Sequence, residues 1–131
     1  MRAHDSYDYA VIRVVPRVER AEFINVGVIV SCEKTRYLQA AIELDEARLR
    51  ALDPHVDLPT LQRHLHAIQR ICQGGADAGP IGLLPQRARF HWLTARRSAI
   101  IQTSPVHMGQ CGDMDAILEH LMDRMVRLPR T

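Results

Sequence analysis

Six side chains between residues 89 and 107 have the types and spacing to recognise a ligand: Arg89, His91, Trp92, Arg97, Ser104 and His107. They fall in a stretch, Ala78 to Gly112, that contains no Asp or Glu, while Arg87, Arg89, Arg96 and Arg97 supply positive charge. Gly79, Gly82, Gly109 and Gly112, with Pro80, Pro85 and Pro105, break the same stretch into turns. Arginine forks beside backbone N–H groups freed by turns are what anion sites are made of. The segment 87–107 therefore reads as the recognition surface of an accessory binding module, for a small anionic ligand or a protein partner, with no cofactor. In the competing reading, these arginines pair with acids elsewhere, such as Glu43 or Asp45, and merely pin the loop. The catalytic alternative is a small hydrolase or phosphotransfer enzyme. There His91 or His107 acts as general acid/base while Arg89 and Arg97 clamp a phosphate.

Other constellations are weaker. His107 and Cys111 have metal-ligand spacing and His91 could join them, but structural zinc wants four ligands and no Cys-x-x-Cys exists, so no metal is expected. Ser104 and His107 lack a nearby carboxylate to orient the base. His64 and His66, two apart on a helix, do not share a face and read as solvated surface residues. Trp92 reads as a loop anchor rather than a base-stacking platform, because stacking proteins show several aromatics on a basic sheet. A net charge of +2 and the lack of a nucleic-acid-binding motif disfavour nucleic acid as partner. Asn25-Val26-Gly27 lacks the Gly-Lys-Ser/Thr of a phosphate loop, and a glycine in mid-strand implies a bulge or close backbone contact.

The elements that must position these residues follow from periodicity. The segments 7–15 and 22–30 are apolar at both parities, as strands covered on both faces are. Leu38, Ala40, Ile42 and Leu44 alternate with polar neighbours. Short polar connections favour an antiparallel meander over crossovers. Residues 98–103 read as a late fourth strand and the rest of 76–112 as loop or short helix. Asp45 opens a short helix that ends before Pro54, and Asp57 caps a longer one that Gly74-Gly75 ends. Leu58, Leu61, Leu65, Ile68 and Cys72 form the buried stripe of that longer helix. A last helix spans 113–128, with Met114, Ile117, Leu118, Leu121, Met122 and Met125 inward. The expected fold class is α+β: one domain over 1–131, a mainly antiparallel four-stranded sheet packed against two to three helices. Leu61, Leu65, Ile68, Ile117, Leu121, Val26 and Val28 are expected to be buried.

The chain has 131 residues, 47% hydrophobic and 24% charged, which suits a folded domain. No apolar run reaches the roughly 18–20 residues of a membrane span. The polar N-terminus carries no signal-peptide pattern, and Cys32, Cys72 and Cys111 are odd in number and far apart. A cytoplasmic protein with reduced thiols is the expectation.

Arg89-Phe90-His91-Trp92-Leu93-Thr94-Ala95, Arg97-Ser98 and Ile101-Gln102-Thr103-Ser104-Pro105-Val106-His107 together resemble the signature of a bacterial family, domain of unknown function 3037. Tyr9-Ala10-Val11-Ile12-Arg13 and Phe23-Ile24-Asn25-Val26-Gly27-Val28-Ile29 are similar to its N-terminal block. The resemblance spans nearly the whole chain, although this chain has Arg96 where members often carry proline. It implies no reaction. It does imply a kinase-like protein as partner, because members lie beside genes for proteins similar to the HipA persistence kinases.

Overall fold

A computed structural model describes residues 4–97 and 99–129. Two long strands set its frame: β1 (Asp5–Val14) and β2 (Ile24–Cys32) pair antiparallel, and β3 (Tyr37–Ile42) extends the meander. The other edge of β1 is shared by two short antiparallel strands. β4 (Ile101–Thr103) lies opposite Ile12–Val14, and β5 (His107–Cys111) opposite Asp5–Tyr9. The sheet thus has five strands rather than four. The late strand begins at Ile101, and the Ser98 end of the expected segment lies outside the described residues.

Ser104 explains how one edge carries two strands. Its N–H donates to the Val11 carbonyl and its Oγ accepts from the Val11 N–H, both at 2.8 Å. The side chain stands in for backbone where the chain breaks step before Pro105, which has no N–H to give.

Four α-helices cover the sheet: α1 (Glu46–Leu52), α2 (Leu58–Gln73), α3 (Gln86–Thr94) and α4 (Met114–Met125). Asp45, Asp57 and Asp113 cap α1, α2 and α4 by accepting from the N–H three residues on, which answers a donor the helix leaves open. α2 and α3 pack on one face, with Leu61, Leu65, Phe90 and Leu93 against Ile12, Val14, Val26 and Ile29. α4 packs on the other, with Met114, Leu121 and Met122 against Tyr7, Val28, Val30 and Cys32. The double covering is why β1 and β2 are apolar at both parities. Ile68 and Ile117, expected in the core, are only partly buried.

The register shifts between Ile12 and Arg13, leaving Val26 as the extra residue of a bulge in β2. The bulge lets Ile24 and Val26 join Ile29 on the α2–α3 face while Val28 and Val30 meet α4. Gly27 beside it is required by crowding: a Cβ there would lie 2.5 Å from the Ala41 carbonyl oxygen. No helix among the described residues is long and apolar enough to cross a membrane.

Candidate functional site

α3 has few local reasons to form. Pro85 precedes it without a side-chain cap, and no acid sits in its first turn. Tertiary contacts hold it instead. Phe90 and Leu93 are buried, and the Gln86 side chain donates to the Ser31 hydroxyl (3.2 Å) and the Tyr37 carbonyl (2.8 Å). Arg89 donates to the Ile71 and Cys72 carbonyls (both 2.7 Å) and to the Leu84 carbonyl (3.0 Å). These Ile71 and Cys72 oxygens lie in the last turn of α2, where carbonyls lack helical partners and a cation is favoured. Arg89 is thus a strut joining two helices.

The other arginines of the acid-free stretch divide. Arg87 pairs with Asp8 (3.3 Å) and lies 3.8 Å from Glu33. Arg96 is exposed. The Arg97 guanidinium stacks over the Trp92 ring, 4.2 Å from its centroid, and donates to the Trp92 carbonyl. It makes no ion pair among the described residues.

Trp92 and Arg97 stand on one wall of a cleft of about 1070 Å³. α2 contributes His64, Ala67, Ile68 and Ile71 to its lining, and the chain around Pro16, Val18 and Asp53–Asp57 contributes further side chains. Val18 (39% exposed), Trp92 (41%) and Ile100 (51%) are large apolar side chains left open to solvent, and all three line this cleft. Its two carboxylates are engaged. Asp53 accepts from the His55 N–H (3.0 Å) and lies 3.8 Å from Arg17. Asp57 caps α2 and also accepts from the Thr60 hydroxyl (2.7 Å), which holds its carboxyl below the usual range with help from nearby Arg63. Arg97, Arg63, His55 and His64 remain as donors around an apolar floor.

The six residues singled out by sequence are not gathered in one place. Trp92 and Arg97 line the cleft, whereas Arg89 faces inward to α2. Ser104 is buried between β4 and β5. His107 lies beside Tyr9, ring centroids 5.3 Å apart, on the α4 side of the sheet, whereas the exposed His91 belongs to α3 on the other side. Among the described residues no group of three or more His, Cys, Asp and Glu could hold a metal ion. Sequence reasoning missed Arg63, Val18 and Ile100, and it read His64, which is exposed and lines the cleft, only as a solvated surface residue. A second stripe on α2, His64, Ala67, Ile68 and Ile71 at steps of three and four, was the signal available.

No curated protein and no solved structure matches the chain. Residues 9–126 do match the family model described as protein of unknown function (DUF3037), so the chain belongs to that family.

Proposed function

We propose that the chain is a binding module whose ligand has an apolar body and a negative charge and occupies the α2 cleft. The observation that carries this reading is Arg97, which has no ion pair among the described residues and is laid over an exposed Trp92 in an apolar cleft. An exposed apolar patch with a polar rim marks a contact surface. A guanidinium with no ion pair among the described residues is available to an incoming carboxylate, or to a phosphate or sulfonate. The recognition surface is therefore narrower than the segment 87–107: Trp92 and Arg97 belong to it, and Arg63, His64 and Ile68 join it from α2. The hydrolase or phosphotransfer alternative draws no support from histidines set on opposite sides of the sheet. The kinase-like partner implied by the family resemblance is tested by co-expression and copurification.

Anilinonaphthalene sulfonate, an aromatic body bearing one anion, tests the site directly. Trp92 is the only tryptophan, so energy transfer from it reports binding to the chain, and its loss in Ile68→Arg, a change within the lining, assigns that binding to the cleft. The sulfonate is expected to bind about one per chain and more tightly than uncharged phenylnaphthylamine, with the difference lost in Arg97→Ala. Equal binding of the two dyes to wild type removes the anion from the reading. No transfer from Trp92 removes the cleft.

A further inference from the structure

Resting on that reading, we infer that the occupant of the cleft is an acidic amphipathic helix of a partner protein rather than a free small molecule. Three features of the cleft point this way.

The first is shape. Small-molecule sites are enclosed, of roughly 300–1,000 Å³, and built around a few convergent polar groups. This cleft, at about 1070 Å³, lies just above that range. It runs beside α2 from Thr60 to Ile71, about 16 Å of helix at roughly 1.5 Å per residue. Its polar groups come from separate parts of the chain. Thr60 and Arg63 stand toward the start of α2, and Arg97 follows the end of α3. An apolar trough with charges dispersed along its rim has the anatomy of a protein–protein contact.

The second is backbone chemistry. α2 supplies the long wall, and its own N–H and C=O groups are already paired within the helix. A guest chain laid along it can gain only side-chain contacts. An extended guest would leave its own backbone polar groups without partners along that wall, which costs free energy when they are buried. A helical guest brings its backbone already satisfied and offers apolar side chains at steps of three and four. The stripe Ala67, Ile68 and Ile71, with Trp92 opposite, is the surface such side chains would meet.

The third is charge. The lining carboxylates Asp53 and Asp57 are held by Arg17, His55, Thr60 and the start of α2. Arg97 has no ion pair among the described residues, and Arg63 is hydrogen-bonded to the Thr60 hydroxyl at 3.0 Å. With Asp53 facing Arg17, and Asp57 answered by Arg63 and the start of α2, Arg97 is the lining charge left over, and it is positive. A guest with Asp or Glu flanking its apolar face would meet it, with Arg63 further along α2.

A displayed library of random sixteen-residue peptides, panned on the full chain, tests the inference without presupposing the partner. Enriched peptides are expected to be acidic, to carry apolar residues at helical spacing, and to displace anilinonaphthalene sulfonate from the cleft. They should gain helical circular dichroism on binding and bind about tenfold more weakly to Arg97→Glu and to Arg63→Glu, since reversed rim charges oppose the guest. Thermal melts of both variants, whose side chains are exposed, confirm that the fold survives. Enriched peptides that are basic, proline-containing or alternating in pattern overturn the inference. So does failure of any peptide to compete with the dye. If the dye still reports from Trp92 in that case, the binding-module reading stands and only the helical protein partner is lost.

Discussion

On one face of the sheet Arg127 donates to Glu43, Glu119 and Asp123, while on the other Arg97 donates to a carbonyl and lies on a tryptophan ring. The surroundings of each arginine match its face. The α4 face is closed at both ends. Tyr37 donates to Asp115 (2.6 Å) near the start of the helix, and Asn25 and Arg48 donate to the Met125 and Val126 carbonyls at its end. The α2–α3 face is tied where Arg89 joins the two helices, and it opens toward Trp92, Ile100 and Val18. Acidic residues are abundant before 78 and after 112 and missing between. Arg127 lies where three carboxylates are at hand, whereas Arg97 lies within the acid-free part. The difference teaches that an unbalanced charge run marks a site only where a cation neither pairs with a carboxylate nor ties one element to another. Arg87 and Arg89 carry the same charge as Arg97, yet Arg87 pairs with Asp8 and Arg89 ties α3 to α2, whereas among the described residues Arg97 reaches only its own neighbour Trp92.

The sharpest way to break the comparison is to ask whether the two layers are equally part of the core. Phe90 is 1% exposed and Met122 is fully buried, on opposite faces. Phe90→Ala should cost about 3–5 kcal/mol and Met122→Ala about 2–5 kcal/mol, from lost transfer energy and the cavity left behind. Trp92→Ala, at the open mouth, should cost far less. Urea unfolding of the three variants measures this. A loss at Trp92 as large as that at Phe90 would make the cleft a piece of core and end its reading as a site.

The parts of this fold that were legible in the sequence are those with local causes. Asp45 and Asp57 announce their helices, and β1 and β2 announce double covering through apolar residues at both parities. β5 has no such cause: Met108, Gly109 and Gln110 are poor strand formers. It exists because Tyr7 lies against Gly109, where any Cβ would collide with the phenol, and because β1 still has an edge to pair. α3 was similarly hidden, since its helix is enforced by Gln86, Arg89 and Phe90 from outside its own turn. Trp92 and Arg97 were legible as candidates, but their partners across the cleft were not. The cleft brings together residues of α2, Trp92 and the segments 16–18 and 53–57, and that gathering is a property of packing rather than of any local pattern.

Alkaline pH should separate the faces by a smaller effect. Burial pushes the Cys72 thiol from 9.0 up to about 12, against a smaller opposing pull from Arg89. The folded state therefore holds this proton where the unfolded chain has released it. Stability is full below pH 9 and falls as pH rises, by about 1.4 kcal/mol per pH unit until the folded value is reached. Tyr37, on the α4 face, is also raised above its ordinary 10.0, first by burial and then by Asp115, so its contribution is lost only from about pH 10 upward. Cys72→Ala should remove the earlier decline and Tyr37→Phe the later one. Chemical unfolding across pH 8 to about 11 reads both. A single decline that neither substitution alters would show that neither group differs between folded and unfolded states.

The smallest effect, and the one that most directly compares a structural arginine with a binding one, comes from Arg89 and Arg97. Arg89→Ala removes three hydrogen bonds from a charged donor and leaves carbonyls at the end of α2 without partners. It should lower stability by about 1.5–3 kcal/mol in every buffer. Arg97→Ala removes an exposed stacking contact and should leave stability within about 0.5 kcal/mol of wild type. Inorganic phosphate inverts the ranking. An anion that binds only the folded state stabilises it by mass action, about 0.4 kcal/mol at a concentration equal to its Kd, which is roughly 2 °C for a domain of this size. Wild type and Arg89→Ala should both show that rise at low millimolar phosphate, where general exclusion of the salt is negligible. Arg97→Ala should not show it, and Arg97→Lys should recover only part of it, because an ammonium lacks the planar fork. Loss of the phosphate response in Arg89→Ala with its retention in Arg97→Ala would exchange the two roles and place the anion at the end of α2 instead of in the cleft.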